Sequence, residues 1–274
     1  MKIALLGTSF PFRGGLSDYN ERLAREMQKD GHELTIYTFT LQYPGFLFPG
    51  KSQYSEQQAP TDLKIIECIN SVNPLNWWKV GNNIKKENYE LVVVGYWIPF
   101  MAPCLGSIVR RIKSNGSSKV ISVVHNIIPH EKRFGDRVLS QYFTKQVDGF
   151  IGMSDIVLND IQSFDDQKPR LLSPHSVYDH FGEVRSRKQA INALKLDDKY
   201  NYTLFFGLIR KYKGLDLLLE ALGEELLKDK NIKLIIAGEY YDDKSFYRNI
   251  IKKHSLENQV IETDGFVSTE DVSL

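Results

Sequence analysis

Residues 204–222 read "LFFGLIRKYKGLDLLLEAL". An aromatic apolar run stops at Gly207, and a leucine-rich run with the spacing of an amphipathic helix opens after Gly214. Arg210, Lys211 and Lys213 lie between them. A strand that passes to a helix through a short glycine-bounded loop is part of a βαβ unit, and such units build a parallel sheet covered by helices. The amides of a helix's first turn have no intrahelical acceptor, so its start favours a negative ligand. Arg210 offers a planar fork suited to phosphate oxygens and Lys213 adds a point charge. A diphosphate fits such a loop, although solvated cations ahead of a helix would give the same pattern.

The alternation extends in both directions. Before residue 155 the apolar runs are "KIALLG", "ELTIYTF", "LKIIECI", "ELVVVGYW", "KVISVVH" and "GFIGM", with helical spacing between them, as in residues 17–30. A second series follows: "YTLFFG", a helix over 213–227, "IKLIIAG", a helix over 243–253, and "QVIETDGF". The polar, proline-punctuated stretch of residues 165–200 reads as a linker. The expectation is an α/β protein of two doubly wound domains, 1–185 and 186–274, the second incomplete. Open sheets of this kind bind ligands beyond the carboxyl ends of their strands.

Composition excludes more than it selects. With 35 basic and 34 acidic residues the chain has no global field, which argues against nucleic acid as a partner. Cys68 and Cys104 lack metal-ligand spacing and read as buried hydrophobes of a reducing compartment. The opening "MKIALLG" is a strand pattern, and no apolar run reaches about 18 residues, so the expected location is cytoplasmic. The Asp pairs at 165–166, 197–198 and 242–243 are scattered and lack histidine, so no metal is expected. Peripheral contact with the inner face of a membrane is a further expectation, resting on "NPLNWWKVGNNIKK" and "TLQYPGFLFPGKSQY". Packing of Trp77 and Trp78 on the core is its rival. Residues 40–62 are expected to form a long loop on which acceptor choice depends.

The segment "FFGLIRKYKGLDLLLEAL" resembles the phosphate clamp of the family 4 (group 1) glycosyltransferases, although Leu208 stands where the family commonly has arginine. The resemblance implies the two-domain GT-B fold, an amino-terminal acceptor side and a carboxyl-terminal domain for the nucleotide sugar. It gives Arg210 and Lys213 the donor diphosphate. "LLGTSFPFRGGLSDYNERLAREMQKDGHELTIYTF" is similar to the family's first strand, glycine loop, first helix and second strand, which places Gly14 and Gly15 at the donor phosphate. That loop lacks G-x-G-x-x-G spacing, which counts against a dinucleotide enzyme. "VISVVHNIIPHEKRF" resembles a family loop whose strand-end histidine meets donor sugar or acceptor. His125 is accordingly the candidate catalytic residue, with Asn126, His130 and Glu131 as candidate contacts. A lone strand-end histidine is otherwise more often structural.

Further candidate contacts are Gly207, Ser154 in "IGMSD", and Gly238 and Glu239 in "IIAGEYYDD". "SPHSVYDHF", with His175 and Tyr178, also looks like a segment bordering the cleft. Glu262 and Glu270 have the family's E-x7-E spacing, but they fall on the third strand and its turn. The family's own pair is expected beyond residue 274. The implied activity is retaining transfer of a sugar from a nucleotide-diphosphate sugar to a hydroxyl of a glycan or lipid-linked acceptor, without a cofactor. This chain is expected to be an inactive fragment, the alternative being a catalytically dead binding or interaction module. Association through an exposed sheet edge of the incomplete domain is a further expectation.

Overall fold

The computed structural model describes residues 1–48, 52–129, 131–177, 181–224, 227, 230–265, 267 and 271–273. The chain divides into two compact units, one of residues 1–48 and 53–176 and one chiefly of residues 177–274.

The first unit runs β1 (Lys2–Leu6), α1 (Gly15–Lys29), β2 (Glu33–Leu41), β3 (Ile65–Asn70), α2 (Pro74–Lys86), β4 (Leu91–Tyr96), α3 (Ala102–Lys113), β5 (Lys119–Val124), α4 (Asp136–Thr144), β6 (Gly149–Gly152), α5 (Asp155–Gln162) and β7 (Arg170–Leu172). All seven strands are parallel, in the order β3-β2-β1-β4-β5-β6-β7. Successive residues of a strand face opposite sides. Accordingly Ile3 and Leu5 join Ala24 of α1 in one apolar layer, while Ala4 and Leu6 join Ile108 and Ile112 of α3 in the other. Coverage on both faces explains why β4 is a continuous run of valines. The order reverses between β1 and β4, so the loops after these strands flank a switch point.

The second unit runs α6 (Arg187–Ala193), β8 (Asn201–Phe206), α7 (Leu215–Leu222), β9 (Ile232–Gly238), α8 (Lys244–Lys253) and β10 (Val260–Asp264). Its parallel sheet has the order β10-β9-β8, which leaves β8 at an edge. Leu215, Leu219 and Leu222 of α7 pack with Tyr247 and Ile251 of α8 over Leu234 and Ile236. On β8 only Phe205 turns toward this core, while Leu204 and Phe206 are 59% and 47% exposed.

Two sequence expectations need correction. The helix expected over 213–227 begins at Leu215, because Lys211–Lys213 form a separate 3-10 turn and Gly214 is left-handed at φ +77°. The linker over 165–200 contains β7, which completes the first sheet, and α6. The long loop expected over residues 40–62 is, in its described residues, tied to the first unit. Leu41 still belongs to β2, Tyr43 lies 5.8 Å from Phe100 and 6.4 Å from Phe48, and the Trp97 indole N–H donates to the Tyr43 hydroxyl at 2.7 Å. Beyond them, Tyr54 bridges to Phe12 and Ser55 donates its amide to Pro11.

Candidate functional site

In the second unit, β8 stops at Gly207, where φ is +101°. Its amide donates to Ala237 O at 2.9 Å. Gly238 holds φ +151°, and a Cβ there would stand 1.9 Å from the Gly207 carbonyl oxygen, so the two strand ends meet only as glycines. The loops then zip together: Ile209 N donates to Glu239 O at 2.8 Å, and Tyr241 N to Ile209 O at 3.0 Å. Glu239 itself is buried.

The three cations of this loop go to different places. The Lys211 amide is held by the Asp242 carboxylate, and its ammonium lies 5.7 Å from the centre of the Phe246 ring. The Arg210 guanidinium lies 5.3 Å over the Tyr241 ring. Lys213 extends its Nζ to 3.7 Å from the point where a Gly207 Cβ would be. Partial burial and then the charge of Arg210 depress the Lys213 pKa, and no carboxylate pairs with Lys213 among the described residues. A cation over bare glycine backbone with a second cation nearby is an arrangement able to take an anion. Asp216, in the first turn of α7, bears instead on Tyr247, whose hydroxyl is pushed up to about 12 by burial, then Asp242, then Asp216.

In the first unit, the loop after β1 is fastened to α1. Glu21 accepts from Ser9 Oγ at 3.0 Å, Phe10 N at 2.9 Å and Ser17 Oγ at 3.1 Å. Asn20 Nδ2 donates to Thr8 O at 2.8 Å, and a Cβ on Gly7 would stand 2.7 Å from that nitrogen. Gly14, at φ +100°, is the N-cap of α1 and Gly15 its first residue.

His125 follows β5 directly, its amide donating to Tyr96 O at 2.8 Å. Its ring meets Tyr19 of α1 edge-on at 5.2 Å, and His175 lies 5.3 Å from Tyr19 and 6.4 Å from His125. Burial, and secondarily His175, lower the His125 pKa from 6.5 to about 4, so the ring is neutral at pH 7. Its Nε2 is buried without a hydrogen-bond partner among the described residues.

Among the remaining sequence candidates, Asn126 is half-buried beside His125 and Glu131 is exposed. Ser154 caps α5, its Oγ accepting from Val157 N at 3.3 Å. His130, Tyr178 and Glu270 lie outside the described residues. Glu262 is taken by Lys244 at 3.0 Å, Arg248 at 3.8 Å and the Tyr240 hydroxyl at 3.2 Å. Tyr19, Glu21 and Tyr241 were missed as site residues. Nothing in the sequence near these three ties them to a site. Among the described residues no group of three or more His, Cys, Asp and Glu is gathered as for a metal.

Residues 13–189 match the family model described as Glycosyltransferase Family 4, and residues 186–273 match that of Glycosyl transferases group 1. No curated protein matches the chain. Among solved structures, the catalytic domain of starch synthase IV from Arabidopsis thaliana, bound to ADP and acarbose, is similar at 10% identity and TM-score 0.63, covering 99% of this chain and 75% of that one. UDP-GlcNAc 2-epimerase from Methanocaldococcus jannaschii is similar at 10% identity and TM-score 0.55, covering 100% and 76%. An alpha-glucosyltransferase in complex with UDP and a 13-mer DNA follows at 12% identity and TM-score 0.58, covering 100% and 69%. At these identities the likeness shows the fold alone, the α/β GT-B type. That fold serves epimerases as well as transferases, so the choice of reaction rests on the family match.

Proposed function

Because the chain belongs to Glycosyltransferase Family 4, we propose that it binds a nucleotide-diphosphate sugar and is built for transfer of the sugar, with retention, to an acceptor hydroxyl. The observation that carries this reading is Lys213, which reaches the bare backbone of Gly207 close enough to Arg210 for that charge to depress its pKa, with no carboxylate on Lys213 among the described residues. When the bond from the sugar to the diphosphate breaks, negative charge grows on the leaving phosphate. Fixed cations at that point stabilise the transition state more than the ground state. Arg210 would take phosphate oxygens through its fork and Lys213 through its ammonium. In the first unit, the amides at Gly14 and Gly15, at the start of α1, are suited to donate to a phosphate. His125, neutral at pH 7, would hydrogen-bond through Nε2 to the sugar or acceptor. In the first unit Asn126 and Glu131 would be acceptor-side contacts, in the second Gly238 and Glu239 would be donor contacts, and the acceptor is a glycan or lipid-linked hydroxyl compound. No step is assigned to a metal.

The 274-residue chain by itself binds the donor weakly and does not turn it over, as an inactive form of the enzyme or a binding module would. The clamp follows β8, and β8 is the edge of its three-stranded sheet, so among the described residues no strand beyond it walls the donor. The test pairs titration calorimetry with UDP, ADP and GDP with assays of sugar transfer and donor hydrolysis, each with and without EDTA. The expected result is EDTA-insensitive binding of a nucleoside diphosphate without turnover. Steady turnover would overturn the inactive reading, and failure to bind any diphosphate would overturn the clamp.

A further inference from the structure

The outward face of α2 combines exposed apolar side chains with cations. Steps of three and four residues from Leu75 bring Trp78, Lys79, Asn82 and Lys86 to one side of the helix. Leu75 is 82% exposed, Trp78 62%, and Val72 just before the helix 47%. Trp77 turns away and donates its indole N–H to Asn70 O at 2.7 Å. The opposite side of α2 presses on α3 so closely that a Cβ on Gly81 would stand 2.7 Å from Arg111 Cβ. Arg111 therefore reaches over α2, its guanidinium 5.6 Å over the Trp78 ring and its Nε donating to Asn82 Oδ1 at 2.5 Å.

The charge on these two helices has one sign. They carry Lys79, Lys85, Lys86, Arg110, Arg111 and Lys113, and neither helix contains an acidic residue. Among the described residues only Lys113 of these is met by a carboxylate, that of Asp148 at 2.5 Å. In a chain of 35 basic and 34 acidic residues this is a local concentration, and the remainder is net acidic.

We infer that the α2 face docks on an anionic lipid surface. A nucleic acid or an acidic protein would answer the cations and leave Val72, Leu75 and Trp78 without a use. A bilayer interface takes both: apolar side chains enter the headgroup boundary, Trp favours that depth, and lysines and arginines meet anionic headgroups. The apolar end of α2 follows directly on β3, so it lies at the carboxyl edge of the sheet, the edge from which the loops after β1, β4 and β5 emerge. Docking brings that edge to the lipid. The advantage for a lipid-linked acceptor rests on the transferase reading; the docking does not.

The experiment is co-sedimentation of the purified chain with vesicles of phosphatidylcholine alone or mixed with phosphatidylglycerol, over a range of salt. Leu75→Ser with Trp78→Ser and Lys79→Glu with Lys86→Glu are compared with the parent. The parent should prefer the anionic vesicles by at least about tenfold and lose affinity as salt rises, and each double substitution should weaken binding by at least about tenfold. Vesicles should also shift the parent's tryptophan emission to the blue, and the Leu75→Ser, Trp78→Ser protein should not show that shift. The replaced side chains are exposed, so thermal melts should match and exclude unfolding as the cause. No binding to anionic vesicles, or undiminished binding after Leu75→Ser with Trp78→Ser, would overturn the proposal. So would tight binding of single-stranded RNA that depends on the lysines and not on Leu75 and Trp78. Titration of nucleoside diphosphate into the same proteins separates the two readings: its absence from the parent would sink the transferase and leave the docking standing.

Discussion

His125 shows what a single residue can and cannot announce. Its place at the end of a valine run was legible, because an apolar strand followed by a polar residue marks the ligand end of a parallel sheet. Its protonation state was not, because Tyr19 and His175, which surround it, come from distant parts of the chain. Burial holds the folded pKa at about 4 against 6.5 unfolded. The unfolded chain thus binds a proton that the folded one refuses between these values. The resulting stability is complete above pH 6.5 and falls as pH drops toward 4, by on the order of 3 kcal/mol in all. Urea unfolding at pH 7, 6 and 5 should therefore show a steeper loss in the parent than in His125→Gln, and identical slopes would refute the burial account. Gly238 gives a second expectation at this scale. At φ +151° and with Gly207 O 1.9 Å from a would-be Cβ, Gly238→Ala should destabilise the second unit by about 3 kcal/mol or more. A melt of that unit within about 1 kcal/mol of the parent would show that the two strand ends are free to part. The sequence offered each glycine as a candidate contact at a strand end; only folding revealed their contact with each other.

At the scale of elements, the segment from β8 to α7 was read correctly in kind and wrongly in detail. The spacing of the leucines gave the helix, but Gly214 and the 3-10 turn ahead of it moved its start to Leu215. That turn separates three cations which the sequence places side by side. Lys211 is directed to Phe246, Arg210 to Tyr241 and Lys213 to Gly207. Arg210→Ala and Lys213→Ala should each weaken nucleoside diphosphate binding about 10- to 100-fold, the scale of one charge-assisted hydrogen bond, whereas Lys211→Ala should change it less than about threefold. Equal effects of all three in calorimetry would mean a diffuse field and not a clamp. Strand β7 escaped notice for a different reason. Three residues are too few for a period to register, and its apolar character is weak. What holds the long loop over residues 40–62 was not legible, because aromatic stacking between Tyr43 and Phe100 has no local signature.

At the scale of the whole chain, the two units bury their apolar surface unequally. The first covers seven strands on both faces, with separate apolar layers above and below the sheet. Among the described residues the second has three strands and one modest core, and its edge strand leaves Leu204 and Phe206 exposed. Stability follows apolar area removed from water less the cost of ordering the chain, and that balance is poorer for a small sheet. The second unit should therefore unfold first. The chain supplies its own reporters, since all three tryptophans, Trp77, Trp78 and Trp97, belong to the first unit. Tryptophan emission follows the first unit alone, while far-ultraviolet circular dichroism also registers α7 and α8. In urea the dichroism should begin to fall at a lower concentration than the emission, the signature of departure from two-state unfolding. A nucleoside diphosphate at saturating concentration should move the first transition toward the second by binding the folded clamp. Superimposable curves in the absence of ligand would show instead that the units fold as one cooperative body, with the smaller sheet drawing its stability from the larger.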